Sequence, residues 1–301
     1  MHEPSPRTSR LLVAGAALAI VLLGGGGFLL GRSSVPEAPP AVVVPSPPPV
    51  VRPTLPAKPV VRVLARSDMI SIANAAADAA SSGQTPPESV KSAAAEQFEI
   101  YLPFGCDGPA PADSNAPFRW RYDADTSSLR ISVAPVSWEP GEWLRQPSGD
   151  SGASEPPTKS EAIEGFWISR PWSSLETCES GAARTAPQGI DAVTLPGQTL
   201  GLAQIFSDED SRIGRRAGKP YEAVIRMDEK DLNIESGLRV RLRGRISRFP
   251  GDLPVRCRQP AGKDQRPVCL VAVTFDDVAV DNPVTQQVMA TWASASRALT
   301  R

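Results

Sequence analysis

The sequence predicts a mainly β protein, α+β by virtue of minor helices. An N-terminal transmembrane helix and a Pro-rich linker precede an antiparallel β-sandwich or barrel. Three observations carry this. An uncharged apolar run spans residues 11–31, prolines are clumped immediately after it, and short segments of period-two hydrophobicity recur from residue 98 to the C-terminus.

The run "LLVAGAALAIVLLGGGGFLLG" (11–31) lies between Arg10 and Arg32. At 1.5 Å per residue it spans roughly 31 Å, the thickness of a bilayer's hydrocarbon core. No small-residue cleavage site directly follows it, so it is expected to remain as an anchor rather than be removed as a signal peptide. Arg7 and Arg10 precede it, while the first cation after Arg32 is Arg52. That slight asymmetry puts residues 1–10 in the cytoplasm and the rest outside. Gly15-x-x-x-Ala19 and Gly27-x-x-x-Gly31 would allow two such helices to approach closely as a homodimer; the competing, favoured reading is that Gly and Ala are simply common in membrane helices.

Residues 32–62 form the linker, with ten prolines between 36 and 59. Such a run favours extended polyproline II and reaches roughly 75 Å at ~3.1 Å per residue. Pro45-Ser46-Pro47-Pro48 also matches a PxxP ligand, but the stalk reading is preferred because readers of such motifs are unusual outside the cytoplasm. The layout of anchor, Pro-rich stalk and globular end resembles TonB-like and other envelope-spanning proteins of Gram-negative bacteria. The resemblance is compositional, covers residues 1 to about 60, and transfers no individual residue.

In "SDMISIANAAADAASS" (67–82), Ser67 suits an N-cap, Asp68 the first turn and Gly83 the stop, so a helix is expected. A second short helix follows Pro86-Pro87 over 88–96. Strands are then expected at 98–104, 118–122, 129–133, 165–169, 199–206, 221–227, 238–248, 268–280 and 288–293. The 118–133 stretch reads as a hairpin, and 146–160 reads as a loop by composition. The alternation of Val271, Val273 and Phe275 slips at Asp276-Asp277, which predicts a bulge. These elements are expected to form two small β units, 63–195 and 196–301, the second OB-like.

The four cysteines are Cys106, Cys178, Cys257 and Cys269, with no CxxC among them, and the only histidine is His2. No zinc-binding or thioredoxin-like spacing is present, so neither a metal nor a cofactor is expected. Outside the cytoplasm an even cysteine number reads as disulfides. Four cysteines allow three connectivities. A turn at 261–264 favours Cys257 with Cys269, which would leave Cys106 for Cys178, and the competing reading is four buried free thiols in a cytoplasmic domain.

Chemistry is narrowed mainly by exclusion. Without a histidine after position 2, no Ser-His-Asp or Cys-His centre can form in the globular part. There is no G-x-S-x-G, S-x-x-K, Walker A or strand-linked GxGxxG sequence. Two-carboxylate glycan hydrolysis stays open by residue type only, with Asp208, Glu209, Asp210, Asp228 and Glu229 as candidates. With 32 basic against 33 acidic side chains there is no nucleic-acid signature.

Two features point to binding. Arg239, Arg241, Arg243 and Arg245 recur every second residue and line one face of a strand, a pattern suited to phosphates or carboxylates along an anionic glycan or lipid surface. The competing reading pairs them with Asp276, Asp277 or Glu222. On the binding reading, charge reversal at Arg241 and Arg243 leaves the fold intact. Five tryptophans fall between 120 and 172, and Trp143 and Trp172, in loop-like surroundings, are the expected exposed contacts. The resulting expectation is a non-enzymatic, single-pass protein of the bacterial inner membrane. Its periplasmic domain recognises or scaffolds an envelope protein or an anionic polymer; the alternative is a carboxylate-dependent cell-wall hydrolase.

Overall fold

Helix α1, Arg66–Ser81, opens the described part of the chain after a two-residue strand β1, Val63–Leu64. A computed structural model describes residues 62–144, 160–178, 199–207, 214–260, 262 and 264–293. The expected anchor at 11–31, the Pro-rich stalk and nearly all of the 146–160 loop lie outside the described residues. Among the described residues no helix is long and apolar enough to cross a membrane.

Asp68 accepts a hydrogen bond from the Ala65 backbone N–H at 2.9 Å, so the N-cap is Ala65, two residues before the expected Ser67. Gly83, at φ +64°, breaks it in the left-handed region. Met69, Ala73, Ala76 and Ala77 form its buried face, and the small alanines allow close approach to the sheet. The second helix, α2, is a single turn, Glu88–Lys91, shorter than the expected 88–96.

The strands are β2 Gln97–Phe104, β3 Phe118–Asp123, β4 Ser128–Val133, β5 Val136–Trp138, β6 Ser160–Trp167, β7 Leu200–Ser207, β8 Tyr221–Arg226, β9 Leu238–Ile246, β10 Val255–Arg258, β11 Val268–Asp281 and β12 Val288–Ala293. A third helical turn, α3 Pro140–Trp143, separates β5 from β6. The expected hairpin is β3–β4. Strands β5 and β10, too short to show a period, were not legible.

Strand β11 organises the large sheet, whose order is β1-β2-β9-β11-β7-β6-β5. The first half of β11 lies between antiparallel β10 and parallel β7, and the second half between antiparallel β9 and β12. The register against β9 shifts between Phe275 and Asp277, the bulge that the slipped alternation predicted. A smaller sheet, β3-β4-β8, shares the main core with it. Phe98, Ile100, Leu102, Val240, Leu242, Leu129 and Ile131 fill that core. Leu270 and Ala272, on the other face of β11, join Trp143, Ile163 and Phe249 in a second cluster. Coverage on both faces explains why "VCLVAV" is continuously apolar.

The division near residue 195 needs correction. Strand β2 pairs with β9, β6 with β7 and β4 with β8, so each sheet draws strands from both sides of that point. The described residues all belong to one unit, and those after residue 195 do not close into a barrel of their own. The expected all-antiparallel arrangement is also broken by the parallel pairs β1–β2 and β7–β11. Long-range pairing of this kind leaves no local trace in a sequence.

Both cysteine pairs form as the spacing suggested. Cys257 and Cys269 face each other across β10 and β11 with Cα atoms 4.0 Å apart, and Cys106 joins Cys178 at 5.5 Å. Among the described residues no cysteine is free. The sequence separations are 12 and 72 residues. Loop-closure entropy then assigns about 2.8 and about 4.4 kcal/mol of stabilisation respectively. Two such bonds fit an oxidising, extracytoplasmic compartment.

Candidate functional site

The arginine row of β9 lies between β2 and β11. Arg243 sits opposite Glu99 and Asp277, Arg241 opposite Tyr101 and Ala279, Arg239 opposite Pro103 and Asp281, and Arg245 opposite Gln97 and Thr274. Arg243 grips Asp277 with Nε at 3.0–3.1 Å and Nη2 at 2.6 Å. That contact holds the Arg243 guanidinium above its ordinary pKa. Arg241 Nη1 reaches Asp281 Oδ2 at 3.2 Å.

The Arg239 guanidinium lies 4.0 Å over the Tyr101 ring, and its Nη2 donates to Gln286 Oε1 at 3.3 Å. Tyr101 in turn donates to Glu99 Oε1 at 2.5 Å. Burial and that bond push its phenol up to about 12. Burial also raises the Asp281 carboxyl, against the pull of Arg241 and Arg239.

The row is therefore a cross-strand charge ladder more than an open anionic track. Of the three carboxylates expected to balance it, Asp277 does so. Asp276 occupies the bulge, and Glu222 stands on β8 opposite Ser132, in the other sheet. Asp281 is a partner that was not foreseen. Charge reversal at Arg241 or Arg243 would place like charges against Asp281 or Asp277, so the expectation that it leaves the fold intact is corrected. Arg245 alone of the four is exposed.

The two predicted tryptophans part company. Trp143 is 5 % exposed, contrary to expectation. Pro140 starts a helical turn rather than a loop, and that turn folds the indole onto the second core cluster. Arg256 Nη1 donates to the Trp143 carbonyl at 2.6 Å, and the Arg258 guanidinium lies 5.6 Å over its ring.

Trp172 is 51 % exposed, with Leu175 at 49 % in the same loop. That loop, residues 169–178, is held by a group the sequence did not flag. The Arg66 side chain is 1 % exposed, and its guanidinium donates to four carbonyls. Nε reaches Ser173 at 3.0 Å, Nη1 reaches Tyr101 at 3.3 Å, and Nη2 reaches Arg170 at 3.2 Å as well as Ser169. Cys178 pins the far end to Cys106. Gly237, at φ +70°, packs so closely there that a Cβ would stand 2.7 Å from Cys178 Sγ.

Arg66 lowers its own pKa through burial, while Glu176 pulls it back up. Burial raises the Glu176 carboxyl, against the backbone amides of Arg66 and Tyr101 and the guanidiniums of Arg66 and Arg239. Arg66, Tyr101, Glu176 and Arg239 thus connect the exposed loop to the end of the arginine row. One signal existed in the sequence: an arginine at the first turn of a helix opposes the helix dipole and needs another reason to be there.

Between β6, β7, β8 and β12 lies a cavity of about 250 Å³ lined by rings and by Glu164, Gln204, Arg216 and Asp277. Aromatic walls and two carboxylates make it a place to look for hydrolase chemistry. Of the carboxylates the sequence offered, Asp208, Glu209 and Asp210 lie outside the described residues, and Asp228 and Glu229 are exposed and do not line it. Glu164 accepts from the backbone N–H groups of Arg216 and Ala217, both at 2.8 Å, and Asp277 is engaged by Arg243. Both carboxylates already have partners within the fold. A wider groove of about 660 Å³ runs between α1, α3 and β10, where Glu142 and Arg258 pair at 2.8 Å. Among the described residues no cluster of three metal-binding side chains occurs.

No family model matches the chain, and neither a curated protein nor a solved structure is similar to it.

Proposed function

We propose that this chain is an inner-membrane-anchored, periplasmic recognition module, and that it docks another envelope protein through the Trp172–Leu175 loop. The observation that carries the reading is the combination of exposure and fixation. A half-exposed tryptophan and leucine sit on a backbone held by a nine-tenths-buried arginine and a disulfide. Large aromatic anchors dominate protein interfaces, and a loop already ordered loses little entropy on binding. Arg239 on Tyr101 adds a cationic rim beside it.

Two disulfides support the oxidising location, and the 11–31 run and Pro-rich stalk supply an anchor and a reach away from the bilayer. The engaged state of Glu164 and Asp277 supports binding over glycan hydrolysis.

A photo-crosslinking residue placed at position 172 of the full-length protein, in intact envelopes, tests this. Val224, 60 % exposed on β8, is the control position. A discrete protein adduct is expected from 172 and not from 224. Adducts to lipid alone, or the same pattern from both positions, would reject the docking loop.

A further inference from the structure

The cavity between β6, β7, β8 and β12 presents a recognition chemistry that the Trp172 loop does not use. Its wall is continuous: the Phe166 and Tyr221 ring centroids are 6.2 Å apart, and those of Tyr221 and Trp292 are 5.5 Å apart. Aromatic faces of this size stack against the C–H face of a ring-shaped ligand. At about 250 Å³ the space falls below the roughly 300–1,000 Å³ of pockets for drug-sized ligands. One ring fits that scale, and a chain of rings does not.

The polar groups sort by what is already engaged. Asp277 is held by Arg243, and Glu164 by two backbone amides, with Arg215 Nε a further 3.6 Å away. Arg216 then remains as a lining cation with no carboxylate partner among the described residues. Its Nε and Nη2 donate to the carbonyls of Lys219 at 3.3 Å and Pro220 at 2.6 Å, and its guanidinium lies 4.5 Å over Tyr221. Gln204 Oε1 accepts from the Phe275 N–H at 3.2 Å, which leaves its NH₂ as a donor. The Tyr221 hydroxyl and the Trp292 indole N–H add two further donors to the lining.

The lining thus offers donors and one guanidinium, while its carboxylates are occupied. Such a site selects a ligand rich in acceptor oxygens and carrying negative charge. We infer that the cavity binds a single pyranose bearing a carboxylate, a hexuronate-type sugar unit. Its ring lies on the Tyr221–Trp292 wall and its carboxylate meets Arg216. The inference is independent of the docking loop, and none of the changes below touches Trp172 or Leu175.

The test is calorimetric titration of the full-length protein, in a zwitterionic detergent, with sodium glucuronate, glucose and sodium acetate. Glucuronate is expected to saturate, with glucose and acetate each weaker by roughly tenfold or more, the worth of one charge-assisted hydrogen bond or of the stacked ring. Arg216→Gln should bring glucuronate down to the level of glucose. Trp292→Phe, which keeps an aromatic ring but removes the N–H and part of the stacking face, should weaken glucuronate and glucose alike. Acetate matching glucuronate would reduce the site to a bare anion contact and overturn the inference. So would glucose matching it, or no saturation by tens of millimolar glucuronate. If Arg216→Gln loses its fold through the Lys219 and Pro220 contacts, the three wild-type titrations and Trp292→Phe still decide.

Discussion

Replacing Arg66 by Met removes the guanidinium and keeps much of the volume, so the effect reports polar contacts more than a cavity. Four carbonyls lose their donor: those of Tyr101, Ser169, Arg170 and Ser173. A buried acceptor left alone costs about 1–3 kcal/mol. Ser169 and Arg170 are exposed residues, so water replaces the lost donor there, whereas Tyr101 and Ser173 are only partly exposed. Removing a desolvated cation returns part of the loss. The net expectation is a loss of about 2–4 kcal/mol in global stability. The loop itself should open far more often, by roughly a hundredfold for about 2.7 kcal/mol of local stability.

Guanidinium unfolding without reductant reads the first quantity, and hydrogen exchange of peptides covering 169–178 reads the second. Arg66→Lys, with three donors on a point charge, should fall between the two. A loss under about 0.5 kcal/mol with unchanged exchange in the loop would refute the argument, because ordinary surface substitutions do no more. The pre-ordered docking loop would fall with it.

The charge ladder supplies two further tests. Arg243→Met strands Asp277, which is 3 % exposed, and should cost about 3 kcal/mol, the low end for a broken buried pair because Arg243 itself is 40 % exposed. Adding Asp277→Leu should recover most of that loss, and denaturant unfolding of the double-mutant cycle would show no recovery if the pair is not coupled. The Tyr101 phenol lies at about 12, raised above its ordinary 10.0 by burial and the bond to Glu99, so the folded chain holds this proton more tightly than the unfolded one. Its contribution to stability is complete below about pH 10 and is lost as pH rises through about 12. Absorbance titration of the phenolate should show that late ionisation, and Glu99→Gln should bring it earlier; no shift in that variant would discard the hydrogen bond as a cause.

Local patterns made much of the secondary structure legible. The period-two runs at 98–104, 118–122, 129–133 and 238–248 became strands with the expected faces inward, the last ending two residues early at Ile246, because alternation is enforced residue by residue by the pleat. The bulge beside Asp276 was legible for the same reason: one extra residue inverts every face after it. The cysteine pairing followed from a short hairpin and elimination. The site was legible only in part. Trp172 stands exposed as read, but Trp143 was hidden by a helical turn that "EPGEW" disguised as a loop, and two of the four arginines in the row carry partners from β11.

By itself, then, the sequence determined the β character, the strand faces and the absence of histidine chemistry after residue 2, since each depends on residue type and near spacing; it favoured the disulfide pairs, and the structure decided them. Only the tertiary structure decided that β2 lies beside β9, that Arg66 reaches carbonyls more than a hundred residues away, and that Phe166, Tyr221 and Trp292 share one wall. Those contacts are set by how sheets close over a common core. Burial there acts on side chains from distant segments at once, and no local window of sequence records which segments will meet.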